Sequence, residues 1–245
     1  MSDRSTSEVK VVLLGESGVG KSSIIKQYVN HTFNPDIDPS MSSKYISKEI
    51  EIKNTDKKLK FNLWDTAGQE KYRSLVKIFY KDSPFIILVY DITSKFSFDN
   101  LRTYWYEEVK NNCLSNVTFA IVGNKNDLYE CSQVPEEEAR QWADSVNAIF
   151  QLTSAKSNSG IDLLFQNLAK KFFDPKYDYR KDDEEAKKNY EKKKKEQEEI
   201  KKKEIEDEEG DDVVKIPQVQ NITLDAKDME IVNKKKKNVL LNCLK

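Results

Sequence analysis

Eight consecutive residues in this chain have the types and spacing to bind a triphosphate: Gly15, Glu16, Ser17, Gly18, Val19, Gly20, Lys21 and Ser22. The glycines at 15, 18 and 20 permit backbone conformations that a Cβ would block. Successive N–H groups can then converge on an anion. The run follows the apolar stretch 9–14 and precedes a helix-like segment over 23–29. A helix presents its positive end to a phosphate at that junction. Strand, glycine-rich loop and helix together form the context in which this spacing reads as a phosphate-binding loop. In that reading Lys21 reaches the β- and γ-phosphates, and the Ser22 hydroxyl ligates Mg²⁺.

Three further segments narrow the nucleotide and the reaction. Asp65-Thr66-Ala67-Gly68-Gln69 follows the alternating stretch 58–64. A carboxylate there can hold Mg²⁺ through water, because Mg²⁺ keeps several waters. Gly68 lets a backbone N–H approach a γ-phosphate, and Gln69 can orient an attacking water. Asn124-Lys125-Asn126-Asp127 follows the apolar run 118–123. A carboxylate at 127 accepting two N–H bonds from a guanine edge rejects adenine, by about 10⁴-fold or more for a site built around such bonds. Thr153-Ser154-Ala155-Lys156 follows 149–152, and its backbone can reach the base carbonyl. Each short motif is common as a surface turn when taken alone. Four in this order, each at the end of an expected strand, are not.

Those loops need a sheet to hold them. The runs 9–14, 85–90 and 118–123 read as strands buried on both faces. Segments 45–53 and 58–64 alternate, with Ile46, Ile50 and Ile52 on one face of the first and Leu59, Phe61 and Leu63 on one face of the second. Asn54-Thr55-Asp56 between them predicts a hairpin. Helical spacing appears at Phe98, Leu101, Trp105 and Val109, and again at Ile161, Leu164, Leu168 and Phe172. Pro135 followed by three glutamates predicts a helix start, and 149–152 a last short strand. Strands alternating with helices predict an α/β fold with a mostly parallel sheet. Ligands in such sheets bind beyond the carboxyl ends of the strands, where all four motifs fall.

Composition bounds the alternatives. The chain has 245 residues and a formal net charge of −1, which argues against a broad nucleic-acid-binding surface. No stretch approaches the roughly 20 apolar residues that span a membrane. The polar N-terminus is unlike a secretory signal, and Ser2 does not fit a myristoylation signal. Cys113, Cys131 and Cys243 are widely spaced and predict neither a zinc site nor a disulfide framework, which fits a reducing cytosolic setting.

With these residues in view, the chain resembles the Ras-like small GTPases, and among them the Rab family, over about residues 9–173. The Rab-like pieces are Lys60-Phe61-Asn62-Leu63-Trp64, Lys71-Tyr72-Arg73-Ser74-Leu75, Phe79-Tyr80-Lys81-Asp82-Ser83 and Leu88-Val89-Tyr90-Asp91-Ile92-Thr93. The resemblance implies a three-layer P-loop GTPase fold: a six-stranded, mostly parallel sheet with one antiparallel strand and helices on both faces. It implies a GTP/GDP switch for vesicle trafficking, a monomer that hydrolyses GTP slowly to GDP and phosphate. Position by position, Gly15 to Ser23 match the phosphate loop, and Phe33 the aromatic that packs on the guanine. Asn124, Lys125 and Asp127 match the base-recognition motif, with Ser154, Ala155 and Lys156 as its partner loop. Asp65, Gly68 and Gln69 match switch II. Ser40 stands where the family has a Thr that ligates Mg²⁺; it keeps the hydroxyl and loses the methyl. Ser17 sits where a side chain crowds Gln69, which predicts slow intrinsic turnover. Exchange factors, effectors and an activating protein with an arginine finger are the implied partners. The divergent switch I leaves a second reading, a nucleotide-loaded interaction scaffold with little hydrolysis.

The chain is expected to divide into a disordered N-terminus (1–8), the GTPase domain (9–174) and a charged tail (175–245). In the tail, 180–209 carries acid-to-lysine pairs four apart, such as Glu184 with Lys188 and Glu198 with Lys202, which read as a solvated helix or spacer. Lys234 to Lys237 form a polybasic patch before Cys243, which stands third from the end where a CaaX box needs the fourth. Prenylation of Cys243 plus that patch would anchor the protein. The expected location is the cytosolic face of an endosomal, Golgi or vesicle membrane.

Overall fold

Runs of valine, isoleucine and leucine make the strands, and their backbone pairing makes one sheet. The computed structural model describes residues 7–35, 44–53, 55–66, 73–113 and 116–181. In chain order these form β1 (Ser7–Leu14), α1 (Lys21–Asn30), β2 (Lys44–Glu51), β3 (Lys58–Asp65), α2 (Arg73–Tyr80), β4 (Phe85–Asp91), α3 (Lys95–Asn100), a π turn (Leu101–Trp105), α4 (Tyr106–Asn112), β5 (Thr118–Asn124), a 3₁₀ segment (Asn126–Cys131), α5 (Glu136–Ser145), β6 (Ile149–Leu152) and α6 (Ile161–Phe173). The sheet order is β2-β3-β1-β4-β5-β6. Among the described strands only β2 and β3 pair antiparallel. In that hairpin Ile46 lies opposite Leu63 and Ile50 opposite Leu59, so the alternating apolar positions meet across the strands.

Helices cover both faces, as β4 makes plain. All seven of its residues are buried. Residues at odd and even positions point to opposite sides of a strand. Phe85 meets Phe172 of α6 at a centroid distance of 6.3 Å, whereas Tyr90 meets Phe98 of α3 at 4.9 Å. On the first side α1 joins α6 through the stacked pair Tyr28 and Phe165, 3.7 Å apart, with Phe61 of β3 edge-on to Phe165. On the second side Phe98 packs edge-on against Trp142 of α5. Both clusters are fully or nearly fully buried where they meet the sheet.

Local chemistry sets the helix ends. Ser94 caps α3 by accepting the Ser97 N–H. Glu136, Glu137 and Glu138 fill the first turn of α5, where the helix dipole favours acids. Pro135 stands at the cap of that helix, just ahead of its first turn. Gly160 precedes α6 with φ +73°; a Cβ there would lie 2.1 Å from the Leu152 carbonyl oxygen.

One detail departs from the sequence expectation. The helix expected to run smoothly through Phe98, Leu101, Trp105 and Val109 widens into a π turn, although all four side chains stay buried. Cys113 is a free thiol. Backbone contacts divide the chain into Met1–Tyr177 and Asp178–Lys245. The first unit closes beyond α6, where Lys171 donates to the Tyr177 carbonyl and the Tyr177 hydroxyl donates to Asn167. In the second, the Arg180 guanidinium donates twice to the Asp178 carboxylate, at 2.7 and 3.0 Å. No helix among the described residues is long and apolar enough to cross a membrane.

Candidate functional site

The parallel pairing of β3, β1, β4, β5 and β6 brings their carboxyl ends to one edge of the sheet. The loops leaving that edge start at Gly15, Thr66, Ile92, Lys125 and Thr153. Four sequence motifs far apart in the chain are thereby gathered.

The phosphate-loop geometry follows from its glycines. Gly15, Gly18 and Gly20 have φ of 143°, 78° and 98°. A Cβ at Gly15 would fall 2.1 Å from the Val89 carbonyl oxygen, and one at Gly20 would fall 2.2 Å from Asn124 Nδ2. Around Gly18 there is open space instead. Gly20 leads directly into α1, whose N-terminal end therefore faces the loop. Lys21 is buried, and its ammonium donates to the carbonyls of Gly15 (2.8 Å) and Glu16 (2.7 Å). The lysine thus lies folded across the loop. Such a cradle suits a polyphosphate.

Next to it, the Ser22 hydroxyl donates to Asp65 Oδ1 at 3.1 Å, and Asp65 is buried at the end of β3. A hydroxyl and a carboxylate at that spacing are hard oxygen donors of the kind Mg²⁺ selects. Thr66 then ties the start of its loop to β1 by donating to the Leu13 carbonyl.

The base-side motifs are locked together by Asn124. This residue is 2% exposed. Its Nδ2 donates to the Val19 carbonyl at 2.9 Å. Its Oδ1 accepts from Thr153 Oγ1 (3.2 Å) and from the Ala155 N–H (3.3 Å). One carboxamide therefore spans the phosphate loop and the 153–156 loop. Lys125 adopts φ 67° and pairs with Asp91 at 2.7 Å. Asp91 in turn accepts from the Thr93 N–H and hydroxyl. Asp127 accepts from the Ser154 hydroxyl at 2.5 Å, and the Lys156 ammonium lies 4.0 Å from its other oxygen. Phe33 is 39% exposed on the loop after α1, so it is not a core aromatic. Ser40, Gly68, Gln69 and Cys243 lie outside the described residues.

Two features escaped the sequence reading. The Glu16 carboxylate is held by Asn100 and Trp105 from the helical segment beyond β4. Tyr45, Trp64 and Phe79 form an aromatic surface, with centroids 5.4 and 5.7 Å apart. Tyr45 is 52% exposed, and the neighbouring Ile78 is 72% exposed. The Lys10 ammonium sits 5.4 Å from the Trp64 ring, and burial holds its pKa below the ordinary lysine value. The only sequence signal for this surface was an aromatic on each of three separate segments.

A buried lysine on a glycine-rich loop, a hydroxyl-carboxylate pair beside it and a carboxylate at Asp127, on this sheet order, have the form of a P-loop GTPase. Comparison with known proteins agrees. The family model described as Ras family matches residues 10–174. Ras-related protein Rab-22A of Homo sapiens is 41% identical over 164 residues, covering 67% of this chain and 83% of the relative. Ras-related protein Rab-31 of Mus musculus is 40% identical over the same shares. Ras-related protein Rab-21 of Geodia cydonium is 40% identical over 171 residues, 70% of this chain and 73% of the relative. The chain belongs to the Rab small GTPases of the Ras family, GTP-hydrolysing switches of vesicle trafficking.

Proposed function

We propose that GTP·Mg²⁺ binds across the carboxyl edge of the sheet, with the roles divided among the residues gathered there. Gly15 to Ser23 wrap the phosphates through backbone N–H groups. Lys21 carries the cation that meets the β- and γ-phosphates. Asp127 accepts the two N–H groups of the guanine edge, held in place by Ser154. The backbone of Ser154, Ala155 and Lys156 lies toward the base carbonyl, Lys125 and Lys156 flank the base, and Phe33 packs on it. Ser22, Ser40 and Asp65 would hold Mg²⁺, which when bound neutralises charge on the phosphate oxygens. Gln69, with Gly68 beside it, positions a water for in-line attack on the γ-phosphorus. The β–γ bridging bond breaks, and GDP and phosphate leave.

The observation that carries this reading is the buried Asn124 carboxamide, which bonds the phosphate loop and the base-side loop at once. Pre-positioned donors lower the cost of binding because little has to be ordered. Single-turnover hydrolysis of bound GTP tests it. Gln69→Leu should slow hydrolysis by about tenfold or more, since positioning the attacking group contributes at least that much. Equal rates in the two proteins would refute the role of Gln69 and favour a scaffold.

The aromatic surface of Tyr45, Trp64 and Phe79 supports effector binding beside the switch regions, because exposed apolar patches mark partner sites. An exchange factor and an activating protein complete the cycle. The basic run Lys234–Lys237, with a prenyl group on Cys243, would place the switch on an endosomal, Golgi or vesicle membrane. Co-sedimentation with anionic liposomes, lost in Cys243→Ser, is the expected outcome; equal sedimentation of both proteins would exclude a lipid anchor at that cysteine.

A further inference from the structure

The phosphate loop is gripped from a second direction, through the side chain of Glu16. Its Oε1 accepts hydrogen bonds from Asn100 Nδ2 and from Trp105 Nε1, the latter at 2.9 Å. The main chain of the same residue accepts from Lys21, at 2.7 Å. One residue therefore joins the Lys21 ammonium to a helical element more than eighty positions along the chain.

That element is built for the contact. In an α-helix residues five apart lie about 140° apart around the axis, because each residue advances about 100°. Asn100 and Trp105 would then face different ways. Here the segment between them is a π turn, with the Tyr106 N–H bonded to the Leu101 carbonyl. The wider turn brings the two donors to one side, where both reach a single carboxylate oxygen. Such turns inside α-helices recur at functional sites. Trp105 is 2% exposed, so its indole N–H has a fixed direction.

We propose that Asn100 and Trp105 are positioning residues for nucleotide binding, acting through Glu16 on the phosphate loop and Lys21. The proposal rests on the nucleotide reading of the site. Holding Glu16 fixes the carbonyl that aims the Lys21 ammonium, so losing a donor weakens the grip on the phosphates that Lys21 reaches. The helix surface behind Trp105 thereby gains a mechanical line to nucleotide affinity.

The test uses the full-length chain and competition of GDP and of GMP against a fluorescent GDP, read by anisotropy. A hydrogen bond to a carboxylate shifts an equilibrium about tenfold or more. Trp105→Phe, which keeps the ring and removes the donor, should weaken GDP about tenfold, and Asn100→Ala should do the same. Glu16→Ala should weaken it at least as much, and adding Trp105→Phe to it should cost nothing further. GMP lacks the phosphate beyond the α-position, so its affinity should stay within threefold in Trp105→Phe and in Asn100→Ala. A GDP affinity within threefold of wild type in both Trp105→Phe and Asn100→Ala overturns the proposal. Equal losses for GDP and GMP, or full additivity of Glu16→Ala with Trp105→Phe, also overturn it, because they mark a general loss of stability. Should Trp105→Phe fail to fold, Asn100→Ala decides alone. Failure of the wild type to bind GDP refutes the nucleotide reading itself, a different result from intact binding that the variants leave unchanged.

Discussion

Replacing Asn124 by Ala should loosen the nucleotide as well as the fold. The side chain makes one bond of ordinary length to Val19 and two longer ones to Thr153 and Ala155, at 3.2 and 3.3 Å. Each bond contributes about 0.5–1.5 kcal/mol net, the longer ones toward the low end. Truncation also strands the partner groups of a residue that is 2% exposed. The expected total is about 2–3 kcal/mol. How that divides between stability and binding depends on what the brace does. A brace that only stiffened the fold would lower the unfolding free energy and leave affinity alone, because the bonds exist without a ligand. A brace that pre-positions two loops leaves them free to move apart in the empty variant, and GDP must order them again on binding. If half of the loss falls on binding, GDP release accelerates about tenfold, since 1.4 kcal/mol is a factor of ten. Stopped-flow release of fluorescent GDP, set beside urea unfolding of the same variant, separates the two. Release within threefold of wild type, together with the full loss of stability, would refute the pre-positioning argument.

Asp127→Asn should lower GTP affinity by about 10³-fold or more and raise affinity for xanthosine triphosphate, read by competition binding. Asparagine keeps an oxygen to accept the Ser154 hydroxyl, so the loop stays in place while the paired acceptance of guanine N–H groups is lost; unchanged guanine preference would remove Asp127 from base recognition. Cys113 has its thiol pKa pushed up to about 11, first by burial and then by the charge of Asp82. At pH 8 its alkylation by iodoacetamide should be on the order of 100-fold slower than that of an ordinary thiol, since only the thiolate reacts. The folded state holds that proton more tightly than the unfolded state. Its contribution to stability is therefore full below the ordinary thiol pKa and is lost as pH rises toward 11. Alkylation at the rate of an ordinary exposed thiol, followed by mass spectrometry, would contradict the half-buried setting.

Much of the fold was legible because strands announce themselves by composition. The run 85–90 that opens β4 is apolar and buried on both faces, and the alternation of β2 and β3 gave the hairpin between them. The site was legible for a different reason. Gly15 and Gly20 stand where a Cβ would meet a carbonyl or an amide at about 2 Å, so the sequence there has no freedom to hide its purpose. Tyr45, Trp64 and Phe79 were not legible as a surface, because each belongs to a separate segment and only the pairing of β2 with β3 and the packing of Phe79 bring them together.

The Glu16 clamp shows where single-sequence reading runs out. Phe98, Leu101, Trp105 and Val109 fit an unbroken helix, and all four are buried as such a helix requires. Burial of those four does not distinguish an α-helix from one with a widened turn, because the apolar stripe is broad enough to absorb the difference. The change acts on polar atoms instead, swinging Asn100 and the Trp105 indole N–H to one side. Hydrophobic periodicity therefore identified the helix and its buried stripe but not its polar aim. In the proposed clamp that polar aim fixes the side chain of Glu16, the residue whose main-chain carbonyl accepts from Lys21. A protein that kept every apolar residue of this segment but restored regular α-helical winding would fold alike and lose one of the two donors on Glu16.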